Sequence, residues 1–366
     1  MDREKFRIAF FIGNMESSGG TERVLSVIAN GLSERGHHVY IMSLKGKGSV
    51  FFPVSDAIKF YWLEKEVPKA GIIKKIQSLA VFLNHENIDF LVDVDIILCF
   101  YSLFLKRFTP QVHWISWEHF NFYYHFKKNQ FLRSIARRLV GRYSECLIVL
   151  SEEDKAYYKE RLNLRCRIIR IYNPNPYEDK APKQEGEPII FAAGRLTRVK
   201  GFDLLIKSWK LLEDRYPEWK VLVAGEGADR KKLEKEIETS GIRRFFLVGN
   251  TDRIEEYYKK AELFVLPSRD EGFGMVLLEA MAFSLPAVGY SCKAGPREII
   301  EDGENGFLVV PGEIEMFARK MESLMQDEHK RRKMGEKARK STRRFCREQI
   351  LDEWDQLLQD MISRQE

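Results

Sequence analysis

Phe6-Arg7-Ile8-Ala9-Phe10-Phe11-Ile12-Gly13 is followed by Ser17-Ser18-Gly19-Gly20-Thr21-Glu22-Arg23, and then by Val24, Leu25, Ile28 and Leu32 at helical spacing before Gly36. The first run is short, apolar and closed by glycine, which predicts a buried strand. The periodic stretch predicts a helix with Gly36 as its stop. His38-Val39-Tyr40-Ile41-Met42-Ser43-Leu44 predicts the next strand. Strand, glycine turn, helix, strand is a βαβ unit, in which a crossover helix joins two parallel strands.

The pattern returns further along. Pro188 to Gly194 reads as a strand ending in glycine, Phe202 to Tyr216 as a helix, Lys220 to Gly225 as a strand and Ala228 to Ser240 as a charged helix. Phe245 to Gly249 and Leu263 to Leu266 are strands, and Leu285 to Gly289 begins another. Short apolar strands alternating with helices predict parallel sheets covered on both faces. A length of 366 residues suits two domains rather than one core. The expected fold class is therefore α/β: two doubly wound, Rossmann-like domains facing each other across a cleft, with ligands at the carboxyl ends of the strands. The stretch from Asn173-Pro174-Asn175-Pro176 to Pro188 lacks periodicity and predicts the join, giving domains 1–173 and 174–346. Arg347 to Ile362 carries Ile350, Trp354, Leu357, Leu358 and Met361 at helical spacing, a last helix that either closes the second domain or crosses back to the first.

Hydrophobic residues make up 44% and charged residues 31%, a globular balance. A net charge of +6 favours anionic partners. Nucleic acid is disfavoured among these, because no aromatic-basic platform or binding motif accompanies the charge. Five widely spaced cysteines show no zinc spacing and no disulfide framework, which points to a reducing, cytoplasmic setting. The apolar run from Phe6 to Ile12 is far below signal or membrane-spanning length. Asp93-Val94-Asp95, ahead of Ile96-Ile97-Leu98-Cys99-Phe100, reads as a strand-start turn rather than a metal ligand set. No metal and no cofactor are expected.

Two stretches carry candidate chemistry. Gly194-Arg195-Leu196-Thr197-Arg198-Val199-Lys200-Gly201 lies between a strand and a helix. Arg195 and Lys200 at a strand end can neutralise a diphosphate leaving group without a metal; a basic turn capping a helix is the alternative. In Pro267-Ser268-Arg269-Asp270-Glu271-Gly272-Phe273-Gly274-Met275, a helix starts near Gly274. Gly272 and Gly274 let backbone amides approach an anion at that helix start. Glu271 sits at the helix mouth. Glu279 lies more than a turn inside, half-buried among Leu277, Leu278, Ala280, Met281 and Ala282. A buried carboxylate needs partners, and ribose hydroxyls would suit Glu279 as sugar hydroxyls would suit Glu271. A helix-start carboxylate and a solvated helix residue are the alternatives. The amides of Gly19-Gly20 can likewise touch phosphate, but the loop is not GxGxxG and lacks the Walker lysine, so NAD and ATP are not read from it.

Taken together, Ser18-Gly19-Gly20-Thr21-Glu22-Arg23, Gly194-Arg195 through Lys200-Gly201, and Glu271 with seven residues before Glu279 form a recognisable set. Asn173-Pro174, Gly295-Pro296-Arg297-Glu298-Ile299-Ile300 and Asn305-Gly306-Phe307-Leu308-Val309 complete it. The set resembles glycosyltransferase family four, retaining enzymes of the GT-B fold. The likeness covers nearly the whole chain, strongest over 189–312 and weakest over 46–106. It implies a hexosyltransferase, metal-independent, that moves a hexose or N-acetylhexosamine from a UDP-sugar to a glycan or lipid-linked acceptor. Enzymes building bacterial surface polysaccharide on lipid carriers look most similar. An epimerase or phosphorylase on the same fold is the alternative. By the same resemblance Arg195 and Lys200 bind the donor diphosphate, Glu271 contacts the donor sugar and Glu279 holds the ribose. Gly272, Phe273, Gly274 and Met275 supply backbone contacts, Asn250 lies where the base is held, Gly19 and Gly20 lie near the diphosphate, and His119 lies near the transferred sugar. The last helix (347–366) would cross back onto the first domain.

Lys127 to Arg142 is basic, with Phe131, Leu132, Ile135, Ala136, Leu139 and Val140 on one helical face. It reads either as a helix resting on an anionic membrane surface through 127–142 or as an ordinary core-facing helix. The expected location is the cytoplasm, peripherally at the inner face of the cytoplasmic membrane.

Overall fold

The computed structural model of the chain describes residues 4–124, 129–177 and 186–363. Parts of the expected join and of the basic stretch, and the last three residues, lie outside these. The chain divides into two compact units, residues 1–176 with 347–366, and residues 177–346.

The first unit is built on β1 (Arg7–Asn14), α1 (Gly20–Glu34), β2 (His38–Lys45), β3 (Lys59–Trp62), the short α2 (Leu63–Glu66), α3 (Ile72–His85), β4 (Phe90–Asp93), α4 (Cys99–Phe108), β5 (His113–Trp117), α5 (Gln130–Tyr143), β6 (Cys146–Val149), α6 (Glu152–Arg161) and β7 (Arg167–Arg170). All seven strands are parallel, in the order β3-β2-β1-β4-β5-β6-β7. The order reverses between β1 and β4, where a doubly wound sheet opens a crevice beyond its strand ends. Side chains alternate along β1: Ala9 and Phe11 join Leu79, Leu83 and Leu105 of α3 and α4 on one face, and Phe10 points to the other.

One expectation fails here. Ile96 to Phe100 is not a strand: a 3-10 turn over Ile96–Leu98 leads into α4. Asp93 therefore ends a strand instead of preceding one. It is buried and accepts from Ser102 Oγ (2.5 Å) and Trp114 Nε1 (2.8 Å), with burial pushing its pKa up to about 7. Asp95 caps the turn, accepting from Ile97 N (3.1 Å). Trp114 to Trp117 lie in the strand β5, which ends just before Glu118 and His119.

The second unit runs β8 (Ile189–Ala193), α7 (Phe202–Lys210), β9 (Lys220–Ala224), α8 (Arg230–Thr239), β10 (Phe245–Gly249), α9 (Ile254–Lys260), β11 (Leu263–Leu266), α10 (Met275–Ala282), β12 (Ala287–Tyr290), the short α11 (Pro296–Ile299), β13 (Gly306–Val309), α12 (Ile314–Gln326) and α13 (Glu328–Ser341). Its six parallel strands follow the order β10-β9-β8-β11-β12-β13, with the reversal between β8 and β11. α7 ends six residues before Tyr216. The chain turns there so that the buried Glu213 carboxylate accepts from Arg243 N (2.9 Å) and Arg244 N (2.6 Å).

The last helix, α14 (Arg347–Ser363), belongs to the first unit. Trp354 is fully buried, edge-on to Trp117 (5.0 Å between centroids) and Phe10 (5.9 Å). Asp355 accepts from Arg35 Nη1 (2.7 Å) and pairs with His37 Nε2 (2.9 Å), while His37 Nδ1 accepts from Phe6 N (3.1 Å). Burial raises the Asp355 pKa, and the bonds from His37 and Arg35 outweigh it, so the carboxyl sits below its usual range.

Candidate active site

In the second unit the two candidate loops follow neighbouring strands, β8 and β11, on either side of the order reversal. They touch along their backbones. Gly201 has φ +69°, and a Cβ there would stand 1.8 Å from Pro267 O, so only glycine lets the loops meet. Arg269 N donates to Val199 O (2.8 Å). The Arg269 guanidinium donates to both carboxylate oxygens of Asp203 (2.6 Å each) and to Arg198 O (2.8 Å). This fork binds one loop to the helix that follows the other.

On that frame Lys200 Nζ donates to Glu271 Oε1 (2.7 Å), and Ser268 Oγ donates to the same oxygen (2.7 Å). Glu271 is buried and Lys200 partly so. One of the two expected phosphate-binding cations is thus paired with a carboxylate. Arg195 stands apart, exposed at the end of β8. Gly274, at φ +94°, starts α10 in a left-handed conformation, and Phe273 before it is buried against Phe345. Gly272 and Met275 are partly exposed around that start. Asn250 is exposed just past β10, two strands away from β8.

Glu279 corrects the sequence reading: it is buried, not half-buried, because α10 is enclosed along Leu277–Ala282. Tyr258 on α9 donates its hydroxyl to Glu279 Oε2 (3.0 Å). Tyr258 stacks on Phe283 (5.5 Å) and stands edge-on to Phe191 (5.4 Å), and its hydroxyl also lies 3.4 Å from Val276 O. Sequence reasoning missed Tyr258, Arg269 and Asp203. Each acts on a partner 21 to 66 residues away, and no local pattern marks such a pair.

The first unit holds the other candidates. Gly19 caps α1, and Gly20 is exposed in its first turn. The Glu22 carboxylate folds over this turn: a Cβ on Gly19 would meet Glu22 Oε2 at 2.4 Å. His119 follows β5. It is buried, with its ring 4.3 Å from that of Trp117, and Nε2 has no hydrogen-bond partner among the described residues. Burial pulls its pKa down to about 3, so the imidazole is neutral at physiological pH. Glu118 beside it accepts from Phe120 N (3.1 Å) and Tyr158 OH (3.3 Å) and faces Arg133 Nη1 (3.4 Å); burial pushes it up to about 7 against that arginine.

Arg133 is not part of a solvated basic face of α5. Together with Arg137 it points inward: Arg133 also bonds Asp95, and Arg137 donates to Asn121 O (3.3 Å). Their guanidinium groups lie over the rings of Phe120 (4.7 Å) and Phe122 (4.9 Å). These two cations hold the loop that carries His119; they do not rim an apolar stripe. Lys127 and Lys128 lie outside the described residues. Among the described residues no three His, Cys, Asp or Glu stand together to hold a metal ion. None of their helices is long and apolar enough to cross a membrane.

Two sheets reversing at β1/β4 and β8/β11, with charged loops at the strand ends, define a two-domain Rossmann-like enzyme of the GT-B class. Residues 18–175 match the family described as Glycosyltransferase Family 4, and residues 175–341 that described as Glycosyl transferases group 1. A Haemophilus influenzae protein named an uncharacterized glycosyltransferase is 32% identical over 363 residues, covering 96% of this chain and 99% of that one. The Campylobacter jejuni GalNAc-α-(1→4)-GalNAc-α-(1→3)-diNAcBac-PP-undecaprenol α-1,4-N-acetyl-D-galactosaminyltransferase is 29% identical, covering 97% and 99%. Staphylococcus aureus TarM, solved with fondaparinux, α-GlcNAc-glycerol and UDP, shares the fold at a TM-score of 0.83 and 16% identity, over 96% of this chain and 99% of that one. The chain belongs to the group 1, family 4 glycosyltransferases.

Proposed function

We propose that the protein is a retaining transferase that moves a hexose or N-acetylhexosamine from a UDP-sugar to a glycan or lipid-linked acceptor in bacterial surface polysaccharide synthesis. It works without a metal, in the cytoplasm, peripherally at the inner face of the membrane. The observation that carries this reading is the Lys200–Glu271 pair at the β8/β11 reversal, a cation and a carboxylate fixed where a phosphate and a sugar would meet. Lys200 and Arg195 stabilise the charge on the departing UDP, with the amides around Gly272–Met275. Glu271 accepts from sugar hydroxyls and Glu279 from the ribose, with the base near Asn250. In the other unit, Gly19 and Gly20 are assigned to the diphosphate and neutral His119 to the transferred sugar. The acceptor attacks from the face the UDP leaves, and a donor phosphate oxygen takes its proton.

The test is UDP release from a panel of UDP- and GDP-sugars, with chelator present and a membrane lipid extract as acceptor. Release from one UDP-sugar, dependent on the extract and lost in Glu271→Ala, is expected. Release without acceptor, or turnover only with inorganic phosphate, would instead indicate an epimerase or a phosphorylase.

The ribose role of Glu279 has its own check. Tyr258→Phe removes the hydroxyl that orients the carboxylate, and a hydrogen bond to a charged group is worth enough to weaken UDP binding about tenfold. Titration calorimetry should show that loss with kcat nearly unchanged. An unaltered Kd would separate Glu279 from the nucleotide.

A further inference from the structure

α3, α4 and α5 lie side by side on one face of the first unit's sheet, α3 packed on α4 and α4 on α5, with Leu79, Leu105 and Val140 buried beneath them. Their outer surfaces depart from the rest of the molecule in two respects. None of the three contains an aspartate or glutamate, in a chain with 54 of them among 366 residues. Lys74, Arg107, Arg138 and Arg142 are exposed there, and none of the four is ion-paired among the described residues. The same surfaces also present large apolar side chains to water. Phe131 is 76% exposed, Ile73 70% and Val81 69%, and Phe104, Phe108 and Leu132 are exposed as well.

The two features share one side. Phe104 and Phe108 are a turn apart on α4 with Arg107 between them, and Phe131, Arg138 and Arg142 are spaced to leave α5 on one side, as Ile73 and Val81 are on α3. Single exposed apolar residues are ordinary; a run of them across three adjoining helices, mixed with unneutralised cations, is not. Nucleic acid would answer the cations and leave Ile73, Val81 and Leu132 in water. A second copy of the chain would set like charges against each other. An anionic headgroup layer over acyl chains answers both features, with phosphates meeting the guanidinium groups and the rings entering the headgroup boundary.

We propose that the outer face of α3, α4 and α5 docks on an anionic lipid surface. This rests on the peripheral reading above and moves the contact from 127–142 to three helices, since Arg133 and Arg137 are engaged inside the fold.

The test is flotation of the full chain with vesicles of phosphatidylcholine alone or mixed with phosphatidylglycerol, at low and high salt. The variants are Phe104→Ser/Phe108→Ser, Arg107→Glu/Arg138→Glu and, as a charge-matched control on α8, Lys231→Glu/Lys235→Glu. Binding that requires phosphatidylglycerol and falls with salt is expected. Each of the first two variants should weaken it by on the order of tenfold or more, and the control should not. UDP binding and the thermal midpoint should be unchanged in all three. If wild-type protein binds and the face variants bind equally well, the surface is wrong while the peripheral reading stands. If wild-type protein fails to bind, the peripheral reading falls and this proposal with it. Equal binding to neutral vesicles, loss in the α8 control matching that in the arginine variant, or a dimer on gel filtration that the face variants abolish would each overturn the assignment.

Discussion

Lys200→Ala should lower turnover by about a hundredfold to a thousandfold, the scale on which one preorganised charge-stabilising donor acts. Lys200 Nζ is already positioned, 2.7 Å from a buried carboxylate, so its charge needs no rearrangement to be felt where a leaving phosphate would sit. The variant should fold. Glu271 retains the Ser268 hydroxyl, and the contact between the two loops runs through Gly201, Arg269 and Asp203, which the change leaves alone. Steady-state kinetics beside a melting curve separates the effects. Unchanged turnover would remove Lys200 from the phosphate site, and a collapse of the melting transition would mean the pair is structural.

Trp354→Ala should cost the first unit about 3–5 kcal/mol, the range for truncating a large buried aromatic ring. Trp354 is fully buried between Phe10 of β1 and Trp117 of β5, so it anchors α14 to the centre of the sheet. The exposed ion pairs along the same helix cannot replace it. The Glu348 and Asp352 partners of Arg35 are largely exposed, and such pairs contribute little. The damage should also reach the candidate site, because the Trp117 ring that Trp354 supports lies against His119. Urea unfolding followed by tryptophan fluorescence measures the loss, and an unchanged midpoint would show that α14 is held by other means.

The fold class was readable because buried parallel strands are continuous apolar runs, and β1, β2, β8, β9, β10 and β11 all have that form. The stretch between Gly46 and Lys106 was not, for equally physical reasons. β3 and β4 are four residues long, β3 is half-exposed, and the apolar run after Asp95 is short enough to be strand or helix by pattern alone. In the site, sequence could set Lys200 and Glu271 at two strand ends; that the strands adjoin, and that the pair bonds, is a property of the sheet order. Arg133 and Arg137 misled because an arginine in a helix reads as solvated until its partners are known, and theirs are Asp95, Glu118 and Asn121, contributed by other elements.

The return of α14 to the first unit reverses the order in which the units can be completed on the ribosome. Residues 177–346 form a contiguous piece and can close their sheet as soon as they emerge. The unit that begins first must wait for Trp354 and Asp355, synthesised after everything else in both sheets, while the surface around Phe10 and Trp117 stays open. That interval is when an unfinished parallel sheet, slow to form and rich in apolar edges, is most exposed to misassociation. The nascent chain should therefore need chaperone protection on its first half and not on its second.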